Sequence, residues 1–126
     1  MKDMHSNIKA ALAIAPAVKT AAADGTTVDL RGYNSVAFVV NTGAIAGDGD
    51  FGVVVQDSTN GSNWGAAAAA DVLGTVPATL EADSAYRLSY VGSKRYVRVN
   101  VTKAGGTSLA LGAVAILGNP HIAPVA

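Results

Sequence analysis

The sequence predicts an all-β fold: a single-domain antiparallel β-sandwich or jelly-roll-like barrel with an extended N-terminal arm and a C-terminal tail. Three observations lead there. Glycine recurs at short intervals and divides segments rich in Val, Thr, Tyr and Ile, the residues that suit a pleated, half-buried surface. Several of those segments alternate apolar and polar side chains with a period of two, and helical periodicity is nearly absent. A length of 126 residues, 50% of them hydrophobic, suffices for one packed core and leaves no room for a second domain.

Along the chain, residues 1–15 read as an arm or first strand, 16–118 as the sandwich and 119–126 as an extended tail. The start imitates a secretory leader, because Lys2 and Lys9 precede the apolar run Ala10 to Val18 and Ala21-Ala22-Ala23 resembles a cleavage site. Pro16 inside that run and Lys19 after it favour a structural segment, with Ile8 to Ile14 alternating as a strand or arm. Val36-Ala37-Phe38-Val39-Val40 and Phe51-Gly52-Val53-Val54-Val55 are apolar on both faces. They read as central strands, covered on each side or covered on one side and packed against a partner on the other. Between them, Asn41-Thr42-Gly43 and Gly47-Asp48-Gly49-Asp50 make a flexible polar-tipped loop. Asp57 to Trp64 is the best turn in the chain, because Asn60-Gly61 tolerates left-handed backbone. The alanines at 66–70 favour a helix by propensity, yet the turn before them and Gly74 and Pro77 after them point to an edge strand or loop.

Tyr86 to Val91 and Tyr96 to Thr102 alternate in the same way and read as a β-hairpin, joined by Gly92-Ser93-Lys94-Arg95 with the glycine at positive φ. In the second run Val97, Val99 and Val101 share the core face, while Tyr96, Arg98, Asn100 and Thr102 meet water or a partner. Leu109 to Leu117 is a last apolar strand. Pro120 and Pro124 keep the tail out of regular structure, and both chain ends are expected to be held by neighbours.

Nine Lys+Arg balance nine Asp+Glu, so the chain lacks the basic excess of a nucleic-acid binder. No apolar run reaches the ~18 residues of a membrane helix, and with no cysteine there is no disulfide, thiol nucleophile or Cys-type zinc site. Neither nucleic acid nor membrane is an expected partner. A charged content of only 14% marks a protein that associates. Neutrality also hides a separation. Gly32 to Asp83 holds six acidic residues and no basic one, whereas Ser84 onward holds five basic residues and no acidic one. Cross-strand pairing within the chain accounts for this. Alternatively, acidic loops of one copy meet the basic hairpin of another. The candidate interface is therefore Arg87, Lys94, Arg95, Tyr96 and Arg98, with Asp48, Asp50 and Asp57 opposite them, and Trp64.

Reactive chemistry finds little support in the sequence. Asp48-Gly49-Asp50 lacks the later ligands of a calcium loop and reads as a solvated turn. His5 and His121 lie far apart without a carboxylate cluster, and Ser89 or Ser93 with His121 lacks a nucleophile elbow. Gly92-Ser93-Lys94-Arg95 lacks the frame of a phosphate loop. No enzyme activity, metal or cofactor is expected. Tyr90 and Tyr96 among Lys94, Arg95 and Arg98 could stack bases, but no wider basic stripe accompanies them.

Four segments carry a resemblance: Val28-Asp29-Leu30-Arg31-Gly32-Tyr33-Asn34-Ser35-Val36, the turn from Val55 to Trp64, the run from Tyr90 to Val99, and Leu117-Gly118-Asn119-Pro120. Together they resemble small structural proteins of tailed bacteriophages, encoded near the major capsid protein. That resemblance implies a capsid decoration, or cement, protein: a β-sandwich on the outer surface of the virion head that clamps capsomers and is made in the host cytoplasm. Its implied partners are the major capsid protein and copies of itself, as a trimer or other small homo-oligomer. It carries over no catalytic or binding residues. Two alternatives stand beside it. One is a tail, connector or head-fibre component. The other is a carbohydrate-binding sandwich using Trp64, Tyr33 or Tyr90.

Overall fold

The computed structural model describes residues 3–121. Nine strands form two antiparallel sheets: β1 (Lys9–Lys19), β2 (Val28–Asp29), β3 (Tyr33–Ala46), β4 (Asp50–Ser58), β5 (Gly65–Ala66), β6 (Val72–Leu73), β7 (Ala85–Tyr90), β8 (Tyr96–Gly105) and β9 (Ser108–Pro120). The five-stranded sheet has the order β1-β9-β3-β7-β6 and the four-stranded sheet β2-β8-β4-β5. Neither closes on itself. The all-β sandwich expectation holds, and β6 apart, the strand order is that of a jelly roll.

The organising unit is one long antiparallel ribbon. Tyr33 opposes Pro120 and Ala46 opposes Ser108 in the five-stranded sheet, then Asp50 opposes Gly105 and Ser58 opposes Tyr96 in the four-stranded sheet. Segment 33–58 thus pairs with segment 96–120 throughout, and the ribbon folds over at a corner formed by 47–49 and 106–107. There the Thr107 N–H donates to the Gly47 carbonyl at 3.1 Å. Gly106 has φ +74, and a Cβ on it would lie 2.1 Å from the Asp48 carbonyl oxygen. β1 and β2 flank one edge of the ribbon, and β5 and β7 flank the other.

Folding the ribbon brings two apolar faces together. Phe38 and Val40 from β3, Phe51 from β4, Val97 and Val99 from β8, and Leu109 from β9 are fully buried, with Leu80 from the segment before β7. Val97, Val99 and Val101 share the core face, as the alternation predicts.

Several expectations change. Tyr86–Val91 and Tyr96–Thr102 are not a hairpin: β7 pairs with β3 and β6, β8 pairs with β4 and β2, and residues 91–95 cross from one sheet to the other. Alternation fixes which side chains share a face and leaves the neighbouring strand open. Gly92 is not among the positive-φ glycines. Its missing Cβ makes room for the Tyr90 hydroxyl, which would lie 2.4 Å away. Asn41-Thr42-Gly43 belongs to β3, and only 47–49 remains a turn. The N-terminal segment is an edge strand of its own sheet, continuing through Pro16 to Lys19 and crossing the boundary placed at residue 15. A 3-10 turn at His5–Asn7 precedes it. Asn119-Pro120 closes β9, so that part of the predicted tail is strand; the rest, 122–126, lies outside the described residues. The Asp57–Trp64 turn forms as expected, with Gly61 at φ +76. Of the alanines after it, Ala66 ends the edge strand β5, Ala67 and Ala68 are loop, and Ala69 and Ala70 enter a 3-10 turn at Ala69–Asp71. No helix of the described residues is long and apolar enough to cross a membrane.

Candidate functional site

The predicted site residues divide among three places. At the corner, Asp48 sits in the turn with φ +56 and Asp50 opens β4, where its carboxylate accepts the Thr79 hydroxyl at 2.7 Å. At the opposite end, three of the six connections between the sheets gather (β2–β3, β5–β6 and β7–β8), and a set of polar clasps closes them. The Arg95 guanidinium donates from Nε and Nη2 to the two Asp29 carboxylate oxygens, each at 2.8 Å. It also lies 5.0 Å from the Tyr96 ring centroid. This pairing holds the Asp29 carboxyl down to about 2, below the ordinary carboxylate range, despite slight desolvation.

Asp57 is buried. Its carboxylate accepts the Tyr90 hydroxyl at 2.8 Å and pairs with Lys94 Nζ at 3.4 Å. Because Asp57 lies on β4 and Tyr90 on β7, that bond joins the two sheets. Burial, reinforced by the carboxylate, pushes the Tyr90 phenol up to about 12.

On the outer face of the four-stranded sheet, the Arg98 guanidinium lies 4.3 Å from the Trp64 ring centroid. Arg98 Nε donates to Gln56 Oε1 at 2.9 Å, Asn100 Nδ2 donates to the same oxygen at 2.7 Å, and Asp24 lies 3.8 Å from Arg98. The Gly25 N–H donates to Asn100 Oδ1 at 2.9 Å. Of the side of β8 expected to meet water or a partner, Asn100 is buried, Tyr96 and Arg98 are half-buried, and Thr102 is exposed as expected. The sheet clothes its outer face with its own side chains.

Three of the four candidate cations thus pair within the chain, as Lys94–Asp57, Arg95–Asp29 and Arg98–Asp24, and only the first joins the acidic middle to the basic end. Asp48 and Asp50 lie away from all of these, and among the described residues neither forms an ion pair. The structure does not bring the acidic corner to the basic cluster. Trp64 lies against Arg98, and Tyr90 is buried on Asp57, so neither ring is a bare stacking platform. His121 Nε2 lies 2.9 Å from Asn34 Oδ1, and no group of three or more metal-ligating side chains occurs among the described residues.

The outer face of the five-stranded sheet was read from the sequence only at Val36–Val40, as a strand that could pack against a partner; its extent across β1 and β9 was not. Leu12, Val114 and Val39 stand side by side across β1, β9 and β3, with Arg87 next on β7. The adjacent row is Ala10, Ile116, Ala37 and Ser89, with Leu73 beyond on β6. Leu12 is 51% exposed, Val114 40% and Leu73 57%. Toward the corner, two irregularities in β1 and one in β3 open a shallow groove lined by Pro16, Val18, Gly43, Ala110 and Gly112, with Val18 66% exposed. Arg87 is the one predicted site residue on this face. The signal in the sequence was the lack of alternation: Val36–Val40 and Leu109–Leu117 are apolar on both faces, although only one face enters the core.

All four segments that carry the phage resemblance converge at the clasped end. They are the β2–β3 turn, the β4–β5 turn, the 91–95 crossing and the end of β9. Compared with known proteins, the chain matches no family model and no curated protein.

Proposed function

We propose that the chain is a structural protein of a tailed-phage virion, a decoration or cement protein on the outer surface of the head. The observation that carries this reading is the apolar outer face of the five-stranded sheet, which marks a protein that works as part of an assembly. Soluble monomers rarely leave a contiguous apolar patch of more than a few hundred Å² in water, and larger ones mark association surfaces. The other sheet has the polar outer face of a protein at ease in solvent, so one side of the sandwich is built for a neighbour. Jelly rolls recur in viral capsids and lectins, and the resemblance of the four clasp segments points to phage heads.

The mechanism is mass action. A protein that binds the assembled lattice and not its separated subunits adds its binding free energy to the stability of the particle. A clasped sandwich suits that role, because a rigid body loses little conformational freedom on docking.

The test is to add the purified protein to expanded heads of a tailed phage that lack a decoration protein, and to image them by electron microscopy. Density repeated over the head surface, with a higher temperature of head disruption, is expected. Density at one vertex or in the tail moves the protein to a connector or tail role. Bare heads together with binding on a glycan array turn the reading to carbohydrate recognition.

A further inference from the structure

We propose that the outer face of the five-stranded sheet is a two-fold interface, and that its occupant is the same face of a second copy of this chain. The inference rests on the reading of this face as an association surface and names its partner.

Size is the first support. The strands β1, β9, β3 and β7 span about 19 Å at ~4.8 Å spacing, and the 11 residues of β1 run about 36 Å at ~3.3 Å each. Because β7 has only 6 residues and runs about 20 Å, the resulting plane is roughly 600 Å², so two copies would cover about 1,200 Å² in total, the lower end of the range for a stable interface.

Charge is the second. Arg87 is the only charged side chain in the two apolar rows, and it lies on β7, away from the centre. A copy of the same face can therefore approach without setting like charges against each other at the middle, and each Arg87 stays at the rim, in reach of water.

Shape is the third. The face carries a ridge, formed by the exposed Leu12 and Val114, and a groove, lined by Pro16, Asn41, Thr42, Gly43, Ala110 and Gly112. Leu12 opposes Val114 and Val18 opposes Ala110, so ridge and groove lie about four residues apart along the same strands. A two-fold axis in the plane of the interface, crossing the strands midway between them, seats the ridge of each copy in the groove of the other. This reciprocity is what an isologous contact requires. The same axis sets Leu12 of one copy over Val18 of its mate, with the sheets ~10 Å apart, as in aligned sheet packing.

The test measures mass in solution. The wild-type chain should sediment as a dimer at micromolar concentration. Val114→Asp should sediment as a monomer while keeping the β-sheet circular dichroism and the cooperative melt of the wild type. Arg98→Ala, on the other sheet, should remain dimeric and controls for general loosening. Because the chain has no cysteine, Leu12→Cys and Val18→Cys proteins can be mixed with a short bismaleimide, and the mixed cross-link should dominate over either homodimer. A monomeric or trimeric wild type, a dimer unaffected by Val114→Asp, or no preference for the mixed cross-link would overturn the proposal. Head occupancy is read separately. A dimer that leaves heads bare keeps the interface and removes the decoration role; a monomer that coats heads does the reverse.

Discussion

The Asp57–Tyr90–Lys94 cluster shows how single residues tie the sandwich together. A buried carboxylate is costly unless its oxygens find donors, and here Tyr90 comes from the opposite sheet and Lys94 from the crossing. Truncating one partner leaves another group unsatisfied. Tyr90→Phe should therefore cost about 1–3 kcal/mol at neutral pH, measured by chemical denaturation. The phenol also sets a pH limit. Its pKa is raised from 10 to about 12 on folding, so its contribution is complete below pH 10 and is lost as pH rises toward 12. The wild type should lose stability across that window, and Tyr90→Phe should lose less. Asp29 works in the opposite direction. Its carboxyl is depressed to about 2, so its contribution is present above pH ~4 and fades as pH falls toward 2. Because the pair with Arg95 is exposed, that effect is small.

At the scale of elements, the folded ribbon explains what the sequence disclosed and what it did not. Asn60-Gly61 was legible because a tight turn is written in its own residues, and Val97, Val99 and Val101 were legible because a period of two fixes a face. The crossing at 91–95 was not legible. It looks like a polar turn between two alternating runs, and nothing local says whether the chain doubles back within a sheet or leaves it. The corner follows the same logic: Gly47-Asp48-Gly49-Asp50 reads as part of a flexible polar-tipped loop, with nothing local to say that it carries β3 in one sheet into β4 in the other. What holds the corner is contact with the turn at 106–107. Gly106→Ala combines a left-handed backbone with a Cβ against the Asp48 carbonyl, and should cost roughly 2–4 kcal/mol. A Cβ at its neighbour Gly105 would have nothing within 4 Å, so Gly105→Ala should be close to neutral. Thermal melts of the two variants make the comparison.

For the whole molecule, the two outer faces differ in kind: the four-stranded sheet is covered by its own polar side chains, while the five-stranded sheet leaves Leu12, Val114 and Leu73 exposed. The candidate interface drawn from charge alone, with Asp48, Asp50 and Asp57 opposite Lys94, Arg95 and Arg98, places attraction between copies in ions. The structure spends most of those cations on partners within the chain and leaves an apolar sheet uncovered instead. Self-association should accordingly survive a rise to about 1 M salt, where charges are screened beyond ~3 Å. Dissociation over that range, followed by light scattering, would locate the contact at the acidic corner.

The register of β9 has a consequence for how the protein is made. β9 lies between β1 and β3, yet it is synthesised about a hundred residues after β1 begins. Until it leaves the ribosome, the middle of the five-stranded sheet is missing, and β1 and β3 each keep an unpaired edge. Completion of the sheet must wait for translation to pass Pro120. Over that interval the nascent chain keeps aggregation-prone strand edges exposed.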